Sequence, residues 1–414
     1  MALTPLESRI AAAISARHAT LLSDLRTFVD IPTGMGHKQG LDETRERLVA
    51  RCTALGAAPE FMPGDPRPTW LDSRAIQAGR AIDPAPDATS PPPPPTVVCR
   101  RPGTPASPSV LIAGHLDTVH DPRGPFTRLS IDPSGTRATG PGCADMKGGL
   151  VIAITALEAL AEVNAAASWS FMLNSDEETG SFHSDRALRA EAASGRYRAA
   201  IALEPAMSKG ELAISRGGSG QLMLHALGRQ AHVGRDFTAG RSATVALCDR
   251  VLKGHALSDA ASGVCVNISP IHCDQPTNVV SDSALAWGNV RYPSPKSGDA
   301  LRSRLEALND PPDAMPRVEV RTIFNRPAKP VTPETESLAL AAREVAEALG
   351  QSLPFNTTAG VCDGNNLQAA GLPTIDTLGV RGGGLHTLDE WIDLPSLVER
   401  CQLLAILIHR QSNA

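Results

Sequence analysis

The chain has 414 residues, a net charge of −5 and a pI near 6.1, so it carries no basic field to attract nucleic acid or an anionic membrane surface. Hydrophobic residues make up 42% and charged residues 20%, the balance of a soluble globular protein, and no apolar run reaches the ~20 residues of a membrane helix. Aromatics are only 3%, which excludes a broad stacking platform for bases and leaves the core to aliphatic side chains. The length exceeds what one ordinary core supports and predicts two domains. The N-terminal residues lack a basic stretch followed by an apolar block, so no secretory leader is expected. The 8 cysteines are scattered and include no Cys-x-x-Cys pair, which predicts reduced thiols and a cytoplasmic location.

Apolar positions at helical spacing, among them Ile10, Ile14, Leu21, Leu25 and Phe28, predict a helix over 5–29 that Ile31-Pro32 ends. A second helix fits 41–55, stopped by Gly56. Residues 64–87 read as irregular. The run Pro91 to Pro95 can neither pair in a sheet nor continue a helix. It predicts an exposed polyproline excursion, either a loop insertion or a ligand for a proline-recognition domain. Strands are predicted at 96–99, 109–113, 168–173 and 199–203, with a strong helix over 148–160. Strands alternating with helices indicate layers around a mostly parallel sheet, with functional residues at the carboxyl ends of its strands.

The pattern changes near Arg216. A strand at 221–227, a helix at 242–257, strands at 263–268 and 284–291, a helix at 298–308 and a strand at 317–323 make the split order β-α-β-β-α-β. Pro327, Pro330 and Pro333 mark the return, followed by a helix at 334–349, a strand at 374–376 and a helix at 395–409. The expected class is α/β. A catalytic domain is split into 1–215 and 329–414, with a mostly parallel sheet and flanking helices, and a ferredoxin-like domain is inserted at 216–328.

Three local patterns carry chemistry. His115 and Asp117 end the strand at 109–113 and leave on one side; a histidine beside a carboxylate is what a metal site uses to bind with one ring nitrogen and fix the other. Asp145, between the Gly-rich turn 140–142 and a helix start, could bridge two cations. Glu177 and Glu178 follow an apolar strand and could point to different sides, one to metal and one to water. Each pattern alone has a plainer reading: a turn pair, a solvated charge run, or, for His386, a loop histidine. Cys143 is able to bind zinc, although thiolates favour closed structural sites. Asp363 reads equally as a helix N-cap.

Together, Gly114-His115-Leu116-Asp117-Thr118, Gly142 to Gly149, Asp176-Glu177-Glu178-Thr179-Gly180, Leu203-Glu204-Pro205 and His386-Thr387-Leu388-Asp389-Glu390-Trp391 resemble, in order, the motifs of the two-zinc amidohydrolases. That family includes acetylornithine deacetylase, succinyl-diaminopimelate desuccinylase, the aminoacylases and bacterial glutamate carboxypeptidases. The resemblance implies two Zn²⁺, with Co²⁺ or Mn²⁺ as possible substitutes. One ion would take His115 and Glu204, the other Glu178 and His386, with Asp145 bridging. It implies Glu177 as general base acting with a metal-bound hydroxide, and Asp117 as the partner of His115. It also makes the inserted domain a lid that pairs two subunits into a homodimer, with His232 reaching across to the oxyanion. Asn278 resembles a polar substrate contact. Arg291 and Arg326 resemble arginines gripping a substrate carboxylate, each open to a plain surface reading. Gly383, in Gly382-Gly383-Gly384, would let backbone approach a ligand. A hydrolase cleaving an amide beside a free carboxylate is expected, closest in look to a glutamate carboxypeptidase. An N-acyl-amino-acid deacylase is the alternative, and a non-catalytic binding protein on this scaffold is the reading from another class.

Overall fold

The apolar run at 109–113 forms strand Ser109–His115, and the chain builds outward from it. A computed structural model describes residues 2–34, 36–84, 94–101 and 109–413. Six strands lie side by side in the order Ala58–Met62, Thr96–Arg101, Trp169–Asn174, Ser109–His115, Tyr197–Ala202, Thr374–Ile375. The last four run parallel, and the first two join antiparallel. Parallel strands are buried on both faces, and the alternation shows it. Val110 and Ile112 face one apolar cluster with helices Gly148–Glu162 and Pro395–Ser412, while Leu111 and Ala113 face another with helices Asp185–Ala192 and Asp363–Ala369.

The helix expected over 5–29 is two helices, Pro5–Ala16 and His18–Val29. Arg17 between them leaves helical geometry (φ −94°, ψ 12°) and bridges Glu158 at 3.2 Å and Glu162 at 2.6 Å. The helix expected at 41–55 spans Lys38–Ala54. Strand Ala58–Met62 and helix Asp185–Ala192 have no counterpart in the sequence reading. Pro91 to Pro93 of the proline run lie outside the described residues; Pro94 and Pro95 lead directly into strand Thr96–Arg101. All 8 cysteines are free. No helix among the described residues is long and apolar enough to cross a membrane.

The β-α-β-β-α-β order is realised by Gly218–Leu227, helix Ala243–His255, Cys265–His272, Ser283–Tyr292, helix Pro295–Glu306 and Arg317–Arg326. Its four strands form an antiparallel sheet of their own. Leu222, Leu224, Ala284, Ala286 and Val290 point to the helices. The alternate residues Met223, Leu285 and Trp287 point to the opposite face. There the segment expected to be irregular, now holding helix Ser73–Gln77, crosses the sheet. Ile76, Trp70 and Ile82 pack on it, the Trp287 indole donates to the Trp70 carbonyl at 2.7 Å, and Arg321 grips Asp83 with two bonds of 2.7 Å.

Candidate active site

Three neighbouring parallel strands deliver the acids and the first histidine to one edge. His115 ends Ser109–His115, Glu177 and Glu178 follow Trp169–Asn174, and Glu204 follows Tyr197–Ala202. Asp145 comes from the turn opened by Gly142, whose φ of 69° suits glycine and where a Cβ would stand 2.4 Å from Thr118 Cγ2. His386 is itself left-handed (φ 62°), a sparsely populated conformation often kept at functional sites.

These residues form two triads sharing one aspartate: His115, Asp145 and Glu204, and Asp145, Glu178 and His386. His115 Nε2 stands 3.2 Å from Asp145 Oδ1 and 4.0 Å from Glu204. His386 Nε2 stands 3.4 Å from Asp145 Oδ2 and 3.2 Å from Glu178. Donors about 2.0–2.1 Å from one tetrahedral ion stand about 3.3 Å apart, so both triads fit a divalent cation. Burial lifts the Glu204 carboxyl to about 8, and hydrogen bonds to Asp145 and Glu178 lift the His386 imidazole to about 10. Cys143 belongs to neither triad; its buried thiol donates to the Glu390 carbonyl at 3.7 Å, and burial raises its pKa.

Glu177 lies beside both triads, and burial pushes its carboxyl well above the ordinary value. Arg326 Nη2 holds it at 2.7 Å. The same guanidinium reaches Asp363 at 2.7 Å, Asn366 at 3.1 Å and Ser181 at 2.7 Å. Arg326 is thus enclosed by protein acceptors and anchors the base, which leaves it no free edge for a substrate carboxylate. Asp363 starts helix Asp363–Ala369, but its carboxylate accepts from Asn174 and Ser181 at 2.6 Å each, beneath the base. The Asp117 carboxylate is 3.5 Å from His115 Nδ1, which bonds instead to the Asp117 carbonyl at 2.9 Å. That carboxylate accepts the backbone N–H groups of Glu177 at 3.2 Å and Glu178 at 2.9 Å, so it holds the turn that carries both acids.

A cavity of about 450 Å³ opens over the triads. Gly383 lines it, as do Glu177, Glu178, Asp145, Glu204 and His386. His232, Asn278 and Arg291 do not. His232 is exposed and pairs across to Val279 beside Asn278. Arg291 lies next to the end of strand Ser283–Tyr292, half-buried, against Cys265 and Ser219. The cation in the cavity wall is Arg216, which the sequence reading noted only as the point where the pattern changes. Its Nε and Nη2 bond Asp376 at 2.8 Å, and Lys329 backs that carboxylate at 3.2 Å. Nη1 remains beside Gly360, where a Cβ would stand 3.5 Å away. An arginine at a strand end, flanked by Gly217 and Gly218, was the available signal.

Paired histidine–carboxylate triads at the strand ends of an α/β sheet, with a buried acid alongside, make up the arrangement of a metal-dependent hydrolase. Residues 111–410 match peptidase family M20/M25/M40, and the chain belongs to that family of metallopeptidases and amidohydrolases. Carboxypeptidase G2 of Pseudomonas sp. (strain RS-16) is 29% identical over 396 residues, 94% of this chain and 88% of the relative. Succinyl-diaminopimelate desuccinylase 2 of Shewanella loihica is 26% identical over 322 residues, covering 72% and 84%. The fold is shared with a tripeptidase from Staphylococcus aureus (TM-score 0.72, 18% identity, 96% and 99% covered). It is also shared with an M20 metallo-carboxypeptidase from Sulfolobus solfataricus (TM-score 0.69, 16% identity, 95% and 99% covered).

Proposed function

We propose that the chain is a zinc-dependent hydrolase that cleaves an amide bond next to a free carboxylate, as a glutamate carboxypeptidase does. The observation that carries this reading is Arg216, a pre-oriented guanidinium in the wall of the cavity that holds both triads and Glu177. Asp376 holds the Arg216 Nε and Nη2 and so fixes the plane in which Nη1 can donate to a substrate carboxylate. Two ions held by His115, Asp145, Glu178, Glu204 and His386 would supply Lewis-acid polarisation of the scissile carbonyl and acidify water. Mixed nitrogen and carboxylate donors suit zinc, and cobalt or manganese would substitute.

The chain's own residues do the rest. Glu177, held by Arg326, takes a proton from the attacking water and passes it to the leaving nitrogen. Arg216 orients the substrate carboxylate, and Gly383 lets backbone approach it. His232 and Asn278 are exposed and do not line this cavity, which supports a role contributed from a second copy, with 216–328 acting as lid and dimerisation unit between 1–215 and 329–414. Val245 and Leu252, each 70% exposed, and Ile271, 54% exposed, give that unit an apolar outer surface suited to a homodimer.

The same residues serve an N-acyl-amino-acid deacylase, the reading that likeness to the desuccinylases favours. Turnover on aryl-glutamates, dipeptides and N-acetyl amino acids, each with and without chelator, separates the two. The proposal expects chelator-sensitive preference for aryl-glutamates. Preference for N-acetyl amino acids transfers the chain to the deacylases, and activity indifferent to chelator overturns the mechanism.

A further inference from the structure

We infer that Glu390 is a positioning residue that sets the shared ligand Asp145 in register with His386 and His115. The inference rests on reading Asp145 as the bridging ligand. Glu390 is 1% exposed, yet its carboxylate meets only donors. Oε1 accepts the backbone N–H of Ala144 at 2.9 Å and of Asp145 at 3.0 Å. Oε2 accepts the N–H of Gly142 at 2.9 Å and His120 Nε2 at 2.7 Å. Nearly successive N–H groups converging after a left-handed residue form an anion-binding nest, and here the anion is supplied by the protein. The three backbone donors come from the turn that presents Asp145. Glu390 itself belongs to the loop that presents His386, and His120 to the loop after His115 and Asp117. One buried carboxyl group therefore ties together the turn that carries the shared aspartate, the loop that carries His386 and the loop that follows His115. Its main chain adds to the clamp by accepting from Gly140 N at 3.1 Å.

Three of the four partners are backbone N–H groups, which can only donate, so the side chain here must offer acceptor oxygens to all three. An amide in its place would turn an NH₂ toward N–H groups. The consequence falls on the ions, because a ligand left free by a fraction of an ångström loses the pre-organised geometry that outer-shell partners impose.

The test uses the full chain, with Zn²⁺ as probe, competed against a chromophoric chelator for wild type, E390Q and E390D. Backbone amide exchange at Gly142, Ala144 and Asp145 is followed in the metal-free proteins. E390Q should bind zinc about 10–100-fold more weakly, with faster exchange confined to those amides. E390D, which keeps the charge but retracts it, should recover part of both. Unchanged zinc affinity and unchanged exchange in E390Q would overturn the inference. Should neither variant fold, H120A, which removes that partner of Glu390 outright, is expected to bind zinc a few-fold more weakly; unchanged affinity there would overturn it equally. Wild type that takes up no zinc would defeat the metal reading itself, a result distinct from wild type and E390Q binding alike.

Discussion

At the scale of single residues, the site is a set of acids whose burial does two jobs. It pushes the Glu177 carboxyl well above its ordinary value, and it lifts the Glu204 carboxyl of one triad to about 8. Glu177→Gln should retain both ions while kcat falls about 10²–10⁴-fold; metal analysis beside steady-state kinetics checks this, and full activity would remove Glu177 from the mechanism. The proton prediction has a definite sign. With Glu204 near 8 and His386 near 10, both carry a proton in the metal-free protein at pH 7. Loading should therefore release protons, and affinity should rise with pH through about 8 and on toward about 10. Calorimetry in buffers of different ionisation heat would read the release; none would contradict the assignment. The ligand set was legible in the sequence because each ligand sits in a short local motif. The supports were not. The Arg326–Glu177 contact joins residues 149 apart, and the Glu390–Asp145 contact 245 apart, and no spacing rule reaches that far.

At the scale of elements, apolar runs buried on both faces announced the four parallel strands, and the 3.6-residue period announced the long helices. Ala58–Met62 escaped because it is an exposed edge strand carrying Pro59, with no alternation to read. The break at Arg17 escaped because apolar spacing continues across it. The crossing segment at 64–84 escaped for a different reason. It packs through a few side chains, Trp70, Ile76 and Ile82, on a sheet face whose own residues, Met223, Leu285 and Trp287, simply read as the alternate strand positions. Trp287→Ala should cost about 3–5 kcal/mol, read as a lowered denaturation midpoint. Asp83→Ala, at an exposed ion pair, should cost no more than about 1 kcal/mol. Equal costs would mean that the segment is held by charge and not by packing.

At the scale of the whole molecule, the inserted unit is joined to the catalytic layers at a point that matters. Arg326, the last residue of its last strand, reaches Glu177, and Asn325 donates to the Gly180 carbonyl at 2.6 Å. The end of that unit's last strand is thereby in direct contact with the base. His232 is exposed and does not line the cavity, and the proposal assigns it to a partner's site. Mixing inactive His232→Ala with inactive Glu177→Ala protein under subunit exchange should restore about a quarter of wild-type activity per chain, since random pairing makes half the dimers mixed, each with one intact site. No recovery would place His232 outside the reaction or inside its own subunit.

This α/β scaffold is expected to hold two ions in triads that share Asp145, with catalysis dependent on them. Zinc titrated into chelator-treated protein, with bound metal and aryl-glutamate turnover followed together, tests it most directly. Activity that is absent at the start and saturates as the chain takes up two ions is the expected result. Full turnover in protein stripped of metal, or saturation with the triads' ligands replaced by alanine, would contradict it.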